Sequence, residues 1–76
     1  MPIRKSDSRE ALTAANDVVT LLRVAADTAQ LVRERVHGDT YVQTDELLRA
    51  ITGLHRRAEE LERQVAAYVT ERDRSR

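Results

Sequence analysis

The chain contains no cysteine, phenylalanine or tryptophan, and only two glycines and one proline in 76 residues. The lack of cysteine excludes a disulfide framework and thiolate zinc sites. So few turn residues and β-branched segments leave little from which to build a sheet. Apolar stretches of about 18 residues are also absent, so no membrane-spanning helix is predicted. The charged segment MPIRKSDSRE is followed by no apolar segment, and we do not expect it to be a secretory signal.

An excess of charge of either sign is missing as well. Thirteen lysines and arginines balance thirteen aspartates and glutamates. A neutral protein has no general electrostatic attraction to nucleic acid or to an anionic membrane, so neither is an expected partner. A chain without cysteine fits a reducing compartment, and we expect a cytoplasmic location. At this length the chain forms one domain, residues 1–76, which buries only about 60% of its unfolded surface.

The first half of the chain follows the period of a helix. Asp7 and Glu10 match a capping box, which predicts a flexible tail over 1–6 and helix 1 over 7–37. Apolar residues then recur in steps of three and four, with one interruption at Arg33. This heptad spacing is typical of a helix that packs lengthwise against another helix. Its members are Leu12, Ala15, Val19, Leu22, Ala26, Ala29, Arg33 and Val36.

The segment after His37 predicts a turn and a second helix. Gly38 is the residue type that closes a helix in the left-handed conformation, so the turn is predicted over 38–43. Helix 2 should then occupy 44–74, or start at Thr40 if that residue is the cap. Its heptad row is Leu47, Ile51, Leu54, Ala58, Leu61, Val65 and Tyr68. The fold prediction is all-α, a two-helix antiparallel hairpin with its core at Leu12, Val19, Leu22, Ile51, Leu54, Leu61 and Val65.

Helix 1 has more apolar surface than one partner helix can cover. Apolar residues outside the heptad row extend far around its circumference, which indicates contact with a further helix. We therefore predict a homodimer that forms a four-helix bundle. Its partner interface is predicted at Val18, Leu21, Val24, Leu31 and Val32.

No pattern of residues indicates catalysis. Glu34 and His37 have the spacing of a di-iron ligand pair, but such a site needs inward carboxylates that the apolar rows lack. His55 and Glu59 are one turn apart beside the row of helix 2, where a polar edge residue is expected. We predict no catalytic, cofactor-binding or metal-binding residues and no enzymatic activity.

Arginines recur on one face of helix 2 at Arg49, Arg56 and Arg63, with Arg57 adjacent. Such a stripe can follow phosphates, but the glutamates between the arginines favour a solvated face with ion pairs. A helix-turn-helix around Gly53 is disfavoured by the charged residues that flank it, so a continuous helix is predicted. The expected function is a small non-enzymatic assembly or adaptor protein, with a second protein as a further partner. The alternatives are a small dimeric regulator, either nucleic-acid-binding or antitoxin-like, and a phage or mobile-element structural protein.

Overall fold

Two α-helices make up the part of the chain that the structure describes, residues 5–74 of a computed structural model. They are α1, Lys5–Arg35, and α2, Gly38–Arg74. The helices pack against each other, and the described residues contain no strand. The predicted all-α architecture of two packed helices is confirmed. The hairpin is elongated, with extents of 58 × 18 × 15 Å.

The turn between the helices is shorter than the sequence pattern predicts and lies earlier. It consists of residues 36–37, whereas the pattern predicts a turn over 38–43. Gly38 has a φ of 63°, the left-handed conformation expected of it, and α2 begins at this residue. Because residues 39–43 include no further glycine or proline, they continue as helix. Asp39 lies in the first turn of α2, where a carboxylate stabilises the positive end of the helix dipole.

The N-terminal end of α1 also differs from the prediction. The helix begins at Lys5, two residues before the predicted start at Asp7. The predicted tail 1–6 falls mostly on residues 1–4, which lie outside the described part of the chain. The predicted capping role of Asp7 depends on its side chain, which also lies outside what the structure describes.

The heptad row of α1 forms its contact surface with α2, as its spacing predicts. Every position of that row from Leu12 to Val36 is buried or half-buried. The most buried residues of the hairpin are small, since three of the four buried apolar residues are alanines: Ala15, Ala29, Leu48 and Ala58. No large side chain in the described residues is completely buried. The two helices therefore form a narrow core.

On α2 the buried row differs from the predicted one. Ile51, Ala58 and Val65 face α1 as predicted, but they alternate with Leu48, His55, Glu62 and Val69. The predicted members Leu47, Leu54, Leu61 and Tyr68 lie beside this row and are 46–56% exposed. The expected core positions of Leu54 and Leu61 are thus corrected. We call the row of α1 and the observed buried row of α2 the inner seams.

Two polar contacts between the helices explain this register. Asn16 Nδ2 donates to Glu62 Oε2 at 2.6 Å, and Arg33 Nη1 donates to Asp45 Oδ1 at 2.7 Å. The residue numbers of the partners total 78 in both pairs, so residue i of α1 is level with residue 78 − i of α2, as an antiparallel arrangement requires. A narrow interface of alanines leaves Glu62 and Arg33 close enough to the edge to meet polar partners, so charged residues occupy positions that the sequence pattern assigns to apolar ones.

Candidate interaction surface

The predicted partner residues of α1 form an exposed apolar surface. Val18, Leu21, Val24, Leu31 and Val32 are 41–67% exposed, and Leu21 is the most exposed of them. Val18, Leu21 and Val32 belong to a row that runs from Ala11 to Val32 in alternating steps of three and four residues. We call this row the outer seam of α1. Val24 and Leu31 lie next to it, further from α2.

Helix α2 has a second row of the same kind. Leu47, Leu54, Leu61 and Tyr68 recur every seven residues, and Ala50, Arg57 and Gln64 fall between them. All seven residues are exposed. This row, the outer seam of α2, is not predicted as a surface, because the sequence pattern assigns its large apolar residues to the core. The signal that identifies it is the presence of a second apolar row directly beside Leu48, Ile51 and Ala58.

The two outer seams lie on the same side of the hairpin. In an antiparallel pair, equivalent flanking positions of the two helices face each other across one edge of the interface. The observed register places Val32 within one residue of the level of Leu47, and Val18 within one residue of the level of Leu61. Large apolar side chains from both helices therefore line one side of the molecule along most of its length.

The opposite side of the hairpin is polar, and the ion pair between Arg33 and Asp45 joins the two helices there. Asp45 accepts from Arg33 of α1 and lies 3.1 Å from Arg49 Nε of its own helix, one turn away. The hydrogen bond from Arg33, together with the charges of both arginines, lowers the pKa of Asp45 below its ordinary value of 3.8. This side therefore fixes the register of the helices through charge.

A small pocket of about 100 Å³ lies on the same side of the hairpin. It is lined by Arg23, Ala26 and Asp27 of α1 and by Thr52 and His55 of α2. His55 Nδ1 is 3.4 Å from Glu59 Oε1, whereas its buried Nε2 has no hydrogen-bond partner among the described residues. The sequence pattern predicts His55 as a polar edge residue beside the heptad row, whereas the structure places it half-buried in the inner seam, with one edge toward this pocket.

The arginines of the predicted stripe do not share one environment. Arg49 is paired with Asp45, and Arg63 Nη2 is 2.7 Å from Glu60 Oε2. The hydrogen bond between Arg63 and Glu60 lowers the pKa of Glu60 and raises that of Arg63. Glu59, which is one turn before Arg63, is directed toward His55 instead.

The other two arginines of the stripe, Arg56 and Arg57, are both exposed but point to different sides. Arg56 continues the polar row that contains Arg49 and Arg63. Arg57 instead belongs to the outer seam of α2, among apolar residues. A continuous surface for phosphates would therefore include at most three of the four arginines, two of which are in ion pairs.

The described residues contain no group of three or more histidine, cysteine, aspartate or glutamate side chains placed to hold a metal ion. Neither helix, over the residues described, is long and apolar enough to cross a membrane. Comparisons of the chain with protein-family models, with curated proteins and with solved structures give no match.

Proposed function

We propose that this protein is a small non-enzymatic assembly or adaptor protein that acts through helix–helix contacts, first with a second copy of itself. The observation that carries the proposal is the apolar side of the hairpin. Both helices expose large aliphatic side chains there, while no large side chain in the described residues is completely buried. Contiguous exposed apolar surface of this kind marks sites of protein interaction.

The accessible surface of the chain supports the proposal quantitatively. A compact monomer of 8.7 kDa exposes about 4,700 Å² according to the usual scaling with mass. The hairpin exposes 6165 Å². The excess of about 1,400 Å² is larger than the roughly 800 Å² that each partner buries in an interface of standard size. A second copy can therefore cover this side and bring the exposed surface per chain to an ordinary value.

The proposal is tested by placing charge on the apolar side of α1. Leu21→Glu combined with Leu31→Glu should give a monomer or an unfolded chain, because both changes place charge on the exposed apolar surface of α1 and the carboxylate at position 21 would be desolvated in each copy of the contact. The measurement is molecular mass in solution by sedimentation equilibrium, together with helix content by circular dichroism.

The matched control adds the same charge to the polar side of α1, as Thr13→Glu combined with Gln30→Glu. Both control residues are exposed. The control should retain the mass of the wild type. A wild-type chain that is monomeric, or a Leu21→Glu, Leu31→Glu variant that assembles like the wild type, would refute the proposed function.

The alternative of a nucleic-acid-binding regulator is tested in a separate measurement. It requires that the wild type shift duplex DNA in a salt-dependent way at physiological ionic strength and that Arg56→Glu abolish the shift. The ion pairs of Arg49 and Arg63 favour the adaptor function, because they reduce the charge available to phosphates.

A further inference from the structure

We infer that the partner on the apolar side is a second copy docked on the outer seams of both helices, which closes a square four-helix bundle, and that Arg57 limits the strength of this assembly. The inference rests on the proposed function and specifies its partner and geometry. It differs from an interface on α1 alone, because α2 contributes Leu47, Leu54, Leu61 and Tyr68, and Leu31 lies outside the contact.

The spacing of the outer seams fits a helical partner. On each helix the outer seam covers seven positions in steps of three and four, the same heptad spacing as the inner seam. This spacing allows side chains to interdigitate with those of another helix over the whole length of the seam. A second copy of the chain presents two such seams of the same length, as an isologous contact requires.

The angle between the seams determines the shape of the assembly. At 3.6 residues per turn, the midlines of the inner and outer seams lie roughly 100° apart around each helix, because each outer-seam position directly precedes an inner-seam position. In a square four-helix bundle each helix contacts two neighbours in directions about 90° apart. A flat layer of helices would instead need contact faces on opposite sides. The geometry therefore indicates a closed bundle, in which the inner seams form contacts within a hairpin and the outer seams form contacts between hairpins.

The distribution of charge identifies the same side of the hairpin. Of the fourteen outer-seam positions, only Arg57 is charged. The opposite side of the hairpin has one equivalent row on each helix, and these two rows hold nine charged residues in sixteen positions. Their members are Arg9, Thr13, Asn16, Thr20, Arg23, Asp27, Gln30 and Glu34 on α1, and Asp45, Arg49, Thr52, Arg56, Glu59, Arg63, Ala66 and Thr70 on α2. Because burial of unpaired charge is costly, only the apolar side can be covered by another protein at low cost.

Two polar members of the outer seams have partners that persist when the side is covered. The hydroxyl of Thr28 donates to the carbonyl oxygen of Val24 at 2.8 Å. The hydroxyl of Tyr68 accepts from Arg72 Nη1 at 3.0 Å. Neither group would be left unsatisfied by contact with a second copy.

Arg57 lies in the middle layer of this surface, level with Leu21 in the observed register. Three layers lie on each side of it along the outer seam. If a two-fold axis parallel to the helices relates the two copies, each layer of one copy is level with the same layer of the other. If the axis is perpendicular to the helices and the two outer seams overlap over their whole length, the axis passes through the middle layer. In both arrangements the two Arg57 side chains share one layer, so their like charges oppose association.

Two matched pairs of variants test the inference by sedimentation equilibrium. Leu54→Gln should weaken the dimer at least about tenfold, because a half-exposed leucine in the outer seam loses its burial in each copy. Leu31→Gln changes the same residue type at similar exposure but outside the outer seam, and should change the dissociation constant less than about threefold. Arg57→Leu should strengthen the dimer at least about tenfold, whereas Arg56→Leu on the polar side should not.

The outcomes separate this inference from the proposed function. A dimer that is weakened equally by Leu54→Gln and Leu31→Gln, or that is unchanged or weakened by Arg57→Leu, would overturn the inference and leave self-association in place. A monomeric wild type would overturn both. The gain expected for Arg57→Leu cannot result from loss of folding, so the test does not depend on variants that destabilise the hairpin.

Discussion

The two glycines of this chain should respond in opposite directions to the same substitution. Gly53 lies inside α2, which is continuous through it, and a Cβ added there meets no atom within 4 Å. Gly53→Ala should therefore increase the free energy of unfolding by about 1 kcal/mol per chain, the difference in helix propensity between the two residues. Gly38 also has open space where a Cβ would be added, but its φ is 63°. Gly38→Ala should decrease the free energy of unfolding by roughly 1 to 2 kcal/mol, because an L-residue is strained in the left-handed conformation.

Urea or thermal denaturation monitored by circular dichroism measures both effects. For a domain of this size a change of 1 kcal/mol corresponds to a shift of about 4–8 °C in Tm. The variants must be compared at one protein concentration, since association with a partner shifts apparent stability by mass action. The double variant should lie near the wild type, because the two sites are far apart along α2 and share no contact.

A fall in stability on Gly53→Ala would refute this reasoning. It would mean that the backbone of another chain approaches Gly53 closely, so that the added methyl group clashes. The proposed bundle excludes such an approach, because Gly53 belongs to neither the inner nor the outer seam of α2. A Gly38→Ala variant as stable as the wild type would mean that the turn at 36–37 can reverse the chain without a left-handed residue.

Two further predictions follow from the contacts between the helices. The hydrogen bond from Arg33 holds the pKa of Asp45 below its ordinary value of 3.8. The ionised Asp45 therefore stabilises the folded state above about pH 3.8, and this stabilisation is lost as the pH falls through the lowered pKa. Asp45→Asn should therefore flatten the dependence of Tm on pH below about pH 4, and an unchanged acid limb would contradict this account. Ala58 is 6% exposed in the narrow core, and Ala58→Leu should cost about 1–3 kcal/mol through overpacking. The exposed control Ala67→Leu should change unfolding by less than about 0.5 kcal/mol in the same urea titration, and equal effects would contradict the assigned core.

The sequence pattern predicts α1 better than α2, for a physical reason. On α1 the buried row is the most regular apolar row, and even its exception, Arg33, is explained by the ion pair with Asp45. On α2 the row of Ile51, Ala58 and Val65 has an apolar neighbour on one side, Leu47, Leu54 and Leu61, and a mixed neighbour on the other, which contains Leu48, His55 and Glu62. Hydropathy alone combines the first row with its apolar neighbour, whereas the structure buries it together with the mixed one.

The choice between these rows depends on partners that a single helix does not reveal. Glu62 is directed toward α1 because Asn16 is level with it, and no local pattern in α2 encodes that contact. The exposure of Val18, Leu21 and Val32, in contrast, agrees with their assignment as a surface outside the core, which depends only on their positions around one helix. The sequence pattern misplaces the turn because residues 36–37, with the left-handed Gly38 at the start of α2, are enough to reverse the chain. The residues after Gly38 resemble loop residues but are helical.

The ion pair between Arg33 and Asp45 also sets the order in which the hairpin can form. Its partners are 12 residues apart in the chain, whereas Asn16 and Glu62 are 46 residues apart. The entropy lost on closing a loop grows with the logarithm of its length, so the first contact is favoured over the second by about 1.2 kcal/mol before any interaction energy is counted. Pairing should therefore begin beside the turn and extend toward the two chain ends. Each new pair then closes only a short additional segment, and this allows a chain with so few buried residues to fold rapidly.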